Sequence, residues 1–255
     1  RTGQRWKASL MRSELSSWAM LWSLESSGEL VKNSLKGLSR MACKEFTLNK
    51  AEYIIEGSEE IQFIKEVVSS LRLPLCPGYA KPNYPVNQKI LNAMFRHKLK
   101  PAGWKADGVL VAPKEFGLNI GQKGDFSKTL GNGLRVFVEV EFGNIASVFR
   151  NLFKFNLIRD IDTYDLAVLI IPCDNFASEV EGVYSFEAVK RILDHAKNSV
   201  MTPLLVLGIE PDRDNDINCL PLEPDWEIPG ETTGWKSQSE PAWDEFVSRH
   251  ADKLF

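Results

Sequence analysis

Two apolar runs constrain the fold more than anything else in the chain: Leu166 to Ile171 (LAVLII) and Leu204 to Ile209 (LLVLGI). Successive side chains of a strand point to opposite faces, so a run with no polar alternation has both faces buried. Such strands need a sheet that is covered on both sides. Pro172 closes the first run, and a helical pattern from Ser185 to Lys197 separates it from the second. The strand Val136 to Phe142 and the helical stretch Ile145 to Ile158 precede them, giving the order strand, helix, strand, helix, strand. That order predicts an α/β fold with a central mixed β-sheet sandwiched by α-helices.

The flanking segments supply the covering helices. Ser58, a suitable N-cap, opens an amphipathic helix over 58–71 carrying Ile61, Ile64, Val67, Val68 and Leu71. Pro74, Pro77-Gly78 and Pro82 to Pro85 make an irregular connection. A second amphipathic helix spans 86–99 (Ile90, Leu91, Met94, Phe95, Leu99) and stops before Pro101. Gly108 to Val111 reads as a strand, followed by a Gly-rich loop from Gly117 to Gly124. The expected organisation is a helical extension over 1–44, a core over 45–211 and an acidic extension over 212–255, with a last helix from Trp243 to Leu254.

Net charge is −3, which at first argues against a nucleic-acid partner. The distribution reverses that inference. Pro211 to Phe255 holds 11 acidic and 4 basic residues; the preceding chain keeps 23 acidic and 27 basic, a mildly basic body. The four cysteines (Cys43, Cys76, Cys173, Cys219) form no C-x-x-C pair and have no histidines beside them, so neither a zinc site nor a disulfide framework is expected. No run of about 18 apolar residues exists to span a bilayer. The Trp-rich start is interrupted by Arg12, Glu14 and several serines and does not read as a signal peptide. A cytoplasmic location with reduced thiols is the expectation.

The chemistry lies in Val136 to Phe142. Val136, Val138, Val140 and Phe142 share one face; Phe137, Glu139 and Glu141 share the other. A two-residue step is about 6.6 Å, close enough for both carboxylates to serve one small site. Two acids in so apolar a strand repel each other and resist desolvation, and a bound cation removes both objections. Oxygen ligands of this kind select Mg²⁺, or Mn²⁺ in its place, over zinc. The same pattern also suits an edge strand with a polar face. Asp125, in a loop rich in Gly and Lys fourteen positions before Glu139, favours the metal reading.

An acid upstream and E-x-E on the strand resemble metal-dependent nucleases with the PD-(D/E)-x-K core. Asn92-Ala93-Met94-Phe95, Leu99, Gly103-Trp104-Lys105, Gly124-Asp125-Phe126 and Val138 to Gly143 are similar to type II restriction endonucleases of the BglII/BstYI group. So are Asp165 to Val168 with Ile171-Pro172, Gly182 to Glu187, Pro203 to Pro211, and the opening Leu48-Asn49 with Glu52-Tyr53-Ile54. The likeness spans 45–211 and implies a restriction-endonuclease-like core. It implies Mg²⁺-dependent hydrolysis of a palindromic, GATC-containing site in double-stranded DNA, leaving 5′ overhangs. It also implies a homodimer and a cognate DNA methyltransferase. Asp125, Glu139 and Glu141 take the positions of the metal ligands and catalytic groups. Two departures stand out: the group usually has Gln where Glu141 stands, and the Asp-to-Glu spacing is longer, with Gly131-Asn132-Gly133 as a hairpin-like insertion. Asp107 is therefore a competing ligand to Asp125.

Lys123, Lys128 and Arg135 flank the site as phosphate contacts or as solvated surface charge. Asn144 is a further DNA-facing residue. Tyr184 and Ser185 match the group's base-reading segment, although Ser185 equally suits a helix N-cap. Ile145 to Ile158 is expected to pack in the core or in a dimer. Two other functions fit the same residues: a structure- or end-dependent repair nuclease, and a DNA-binding module without activity.

Overall fold

The structure, a computed structural model, describes residues 42–77, 84–111, 123–180, 182–210, 216–223 and 240–255. Residues 1–41 of the helical extension expected over 1–44, most of the Gly-rich loop and parts of the acidic stretch lie outside these residues, and the last three positions of that extension belong to a strand instead.

A six-stranded sheet forms the centre. Its strands are β1 (Ala42–Leu48), β3 (Lys105–Leu110), β4 (Lys123–Thr129), β5 (Arg135–Val140), β6 (Leu166–Pro172) and β7 (Leu204–Glu210). They lie in the order β1-β7-β6-β5-β4-β3. The two apolar runs become β6 and β7, neighbours in the middle of the sheet and parallel to each other. Every residue of β6 is buried. β5 is parallel to β6, whereas β4, β3 and β1 pair antiparallel, so the sheet is mixed as expected. A two-stranded ladder, β2 (Pro74–Leu75) with β8 (Ile217–Asn218), lies apart from it.

Helices cover both faces. On one, α2 (Glu59–Ser70) and α3 (Gln88–Leu99) pack with Val136, Val138, Val168, Ile170, Leu205 and Leu207. On the other, α4 (Ile145–Asp160) and α6 (Phe186–His195) bury Val148, Leu152, Phe155, Ile158, Val189 and Leu193 against Phe137, Leu169, Ile171 and Val206. Short α1 (Ala51–Ile55) and α5 (Asp174–Ala177) fill connections. Side chains start the long helices as their sequences dictate: Ser58, Asn87, Asn144 and Ser185 each accept backbone N–H groups at an N-terminus.

The described residues form one compact unit. Within it α7 (Glu240–Arg249) and α8 (Ala251–Leu254) replace the single last helix expected, and α7 lies against α3. Trp243, Phe246 and Val247 are buried, and Arg96 Nε meets Asp244 Oδ1 at 2.7 Å. The acidic end of the chain thus contributes core. One local expectation is corrected: Asp125 stands on a strand, β4, rather than in a loop. The Gly131-Asn132-Gly133 turn then joins β4 to β5, with Gly133 at φ 87°.

Candidate metal centre

β5 is an interior strand, paired to β4 on one side and β6 on the other, which removes the edge-strand alternative. Its alternation runs as the sequence predicts. Val136, Val138 and Phe142 face α2 and α3, while Phe137 packs on the α4 side. Glu139 and Glu141 also face α4, and they are only 5% and 7% exposed. The strand ends at Val140, but Glu141 N still donates to Ile170 O at 2.9 Å, which fixes the second glutamate against β6.

Helix α4 meets these carboxylates with two polar side chains one turn apart. Lys154 Nζ donates to Glu139 Oε1 at 2.7 Å and to Lys123 O at 2.8 Å. Asn151 Nδ2 donates to Glu141 Oε2 at 3.0 Å, and Gly143 N donates to Glu141 Oε1 at 2.7 Å. Residues three apart on a helix share a face, so Asn144 at the N-cap and the core residues Val148 and Phe155 set this pair onto the strand.

Asp125 reaches the same place from β4. The β4–β5 ladder runs from Thr129/Arg135 to Phe126/Val138. Beyond it, the Val140 N–H donates to Asp125 Oδ2 at 2.7 Å, a side chain doing the work of the next backbone acceptor. Asp125 opens to solvent on one side and borders a pocket of about 400 Å³ with Asn92, Arg96, Lys123 and Glu240. Helix α7 therefore supplies one wall of the opening.

The electrostatics follow from crowding. Burial pushes the Glu139 carboxyl up to about 8, the Asp125 charge adds to the rise, and Lys154 opposes it. Burial also raises Asp125 and Glu141, against the N–H groups of Val140 and Gly143 that favour their charged forms. Two buried glutamates, with the solvent-open Asp125 charge beside them, are a poor end state and a good receptor for a cation. Among the described residues no group of three or more His, Cys, Asp or Glu converges as a complete cage. Mg²⁺ does not require one, since it commonly keeps waters and takes one or two carboxylates. Asp125 and Glu139 fit that donor set. Asn151 Oδ1, buried and without a hydrogen-bond partner, marks an unfilled polar position in the same wall.

The remaining residues singled out by sequence are placed differently. Lys123 lines the pocket beside Asp125. Lys128 Nζ bonds Ala102 O at 2.8 Å and lies over the Trp104 ring. Arg135 is held by Asp165 and Asp162. Asn144 and Ser185 cap helices, and Tyr184 packs edge-on to Phe149 with ring centroids 5.8 Å apart. Asp107 lies on β3 next to a register shift, and its side chain is outside the described residues. Sequence reasoning missed Lys154 and Asn151. The available signal was two polar residues interrupting the apolar face of Val148, Leu152, Phe155 and Ile158.

A mixed sheet with helices on both faces is the α/β fold also found in restriction endonuclease BglII. The crystal structure of BglII complexed with a DNA 16-mer matches with a TM-score of 0.56 and 20% identity, over 68% of this chain and 78% of that one. The structure of free BglII matches with a TM-score of 0.49 and 18% identity, over 68% and 81%. No curated protein matches the chain. The model of the restriction endonuclease BglII/BglIII family matches residues 43–209, and the chain belongs to that family of site-specific DNA endonucleases. No described helix is long and apolar enough to cross a membrane.

Proposed function

We propose that this chain is a Mg²⁺-dependent type II endonuclease that cuts a palindromic, GATC-containing site in double-stranded DNA and leaves 5′ overhangs, with Mn²⁺ able to replace Mg²⁺. The observation that carries the reading is the convergence of Asp125 and Glu139 at one end of β5, with Glu141 beside them. Asp125 and Glu139 hold the metal. The chemistry supplied there by the bound ion is activation of a water and neutralisation of charge on the scissile phosphate. Glu141, fixed by Gly143 N and Asn151, orients the attacking water or takes its proton. Lys123 borders the same opening and suits the DNA backbone. Lys128, Arg135, Asn144, Tyr184 and Ser185 stay as DNA contacts only to the extent that their present partners release them.

A palindrome calls for a two-fold assembly, because a dimer presents one surface to each half-site. Ile145, Phe149 and Phe153 recur every four residues on the outer face of α4 and are 46%, 48% and 63% exposed. This apolar stripe suits the partner subunit. An enzyme of this kind acts in the cytoplasm beside a methyltransferase that protects the same sites in the host DNA.

The test is digestion of a fully sequenced plasmid with Mg²⁺ or Mn²⁺ and mapping of the cut ends. Discrete bands with one palindrome at every end support the reading, and Glu139→Ala should abolish cutting while DNA binding persists. A smear, or intact DNA across varied substrates, would sink it.

A further inference from the structure

A lysine is expensive to bury, and Lys154 is 4% exposed on the core side of a helix whose neighbours are Val148, Leu152, Phe155 and Ile158. Packing does not ask for it; an apolar residue of similar length would fill the same space. The charge is what the site uses. Its ammonium stands against Glu139 at 2.7 Å, and its interaction with the Asp125 carboxylate favours the charged form of that acid too. No three-acid cage forms among the described residues, and at the point where the acids approach one another a protein cation is already present.

We propose that Lys154 is a positioning residue that serves as an internal placeholder cation. It holds Glu139 in place in the metal-free protein, and divalent metal displaces it when the site is loaded. The inference rests on the reading of Asp125 and Glu139 as metal ligands. The geometry gives the displaced ammonium somewhere to go. Lys123 O remains its partner at 2.8 Å, and Asn151, one turn earlier on α4, carries a buried amide oxygen with no hydrogen-bond partner. The flexible lysine stem can leave Glu139 by a change of rotamer. Such an arrangement keeps the acids from repelling one another before metal arrives, and it sets a threshold that metal must exceed to bind.

Calorimetric titration of Mn²⁺ alone into the whole protein, without DNA, tests this on wild type, Lys154→Met, Lys154→Arg and Glu139→Gln. Removing the competing cation should tighten Mn²⁺ binding at least fivefold in Lys154→Met, and Mn²⁺ should raise its melting temperature by more than it raises that of wild type. Lys154→Arg keeps the charge and should stay within about twofold of wild type. In wild type the Lys154 side-chain NH₃⁺ resonance should shift on Mg²⁺ titration. If Lys154→Met binds Mn²⁺ no more tightly than wild type while Glu139→Gln abolishes binding, the placeholder is overturned and the metal reading survives. If Mn²⁺ binds none of the four proteins, or binds Glu139→Gln as well as wild type, both fall. Should Lys154→Met fail to fold, Lys154→Gln carries the same expectation and the same refutation.

Discussion

Gly124 precedes Asp125, and the reason for glycine there is spatial rather than conformational. A Cβ placed on Gly124 would lie 2.3 Å from Cζ and 2.4 Å from Cε2 of Phe137. Carbon atoms in contact sit at about 3.5–4.0 Å, so Gly124→Ala demands more than an ångström of movement from the ring or from β4. The ring cannot yield easily. Phe137 is fully buried, edge-on to Phe155 at 6.3 Å and tilted against Tyr164 at 5.1 Å. Overpacking of this kind costs roughly 1–3 kcal/mol. In a unit of this size each kcal/mol is worth about 2–4 °C of melting temperature. Urea denaturation should therefore show a lower midpoint with an unchanged slope. Phe137→Leu removes the obstructing ring, so the double variant should cost less than the sum of the two single changes by about 1 kcal/mol or more. Because β4 is displaced next to Asp125, DNA cleavage should fall even at temperatures where Gly124→Ala stays folded. A Gly124→Ala protein within about 0.5 kcal/mol of wild type, with additive behaviour in the cycle, would refute the steric reasoning.

Three further outcomes follow from the same geometry. A Cβ at Gly143 would lie 2.6 Å from Glu141 Oε1, so Gly143→Ala should drive that carboxylate off its N–H donor and lower cleavage at least tenfold with little change in fold, read by single-turnover kinetics and circular dichroism. Asp165 is held below the ordinary carboxylate range by hydrogen bonds from the Arg135 side chain and N–H. A depressed pKa means the stabilisation is complete above the unfolded value of about 4 and drains as pH falls through the folded one. Asp165→Asn should thus cost roughly 1 kcal/mol at pH 7, since the pair is partly exposed, and should flatten the acid limb of melting temperature against pH. Phe153→Glu, in the middle of the exposed stripe on α4, should leave the monomer's melting temperature within a few degrees and shift sedimentation towards monomer; unchanged oligomeric state would remove that face from consideration.

The sheet was readable from sequence wherever hydrophobic pattern and burial coincide. β6 and β7 are apolar on both faces, and the E-x-E alternation of β5 assigned each side chain to the face on which the structure has it. Helices α2, α3, α4 and α6 announced themselves through apolar spacing, and α2 and α6 also through Ser58 and Ser185 as caps; the caps Asn87 and Asn144 emerged only in the structure. β1 and β4 did not. Lys44 and Glu45 interrupt β1, and Lys123-Gly124-Asp125 reads as a turn, because β4 pairs through its backbone while Gly124 gives up its side chain to the Phe137 ring. Propensity had no means of seeing that ring.

The site was half legible for a related reason. Glu139 and Glu141 are two residues apart in a strand, so local geometry alone brings them together. Asp125 could be suspected because an acid upstream of an E-x-E strand, within Gly124-Asp125-Phe126, resembles the family's pattern. Lys154 and Asn151 belong to the site only because α4 folds back over β5, a tertiary fact that spacing does not encode. A lysine inside an apolar helical face is nonetheless a question the sequence poses. A desolvated ammonium needs an anionic partner, and the nearest unexplained anions are the two glutamates on the strand immediately before the helix. Burial cost on both sides makes the pairing close to obligatory. An acid pair whose repulsion suggests a missing cation and a buried cation that lacks an anion are therefore two halves of one inference, and the 2.7 Å contact between Lys154 and Glu139 joins them.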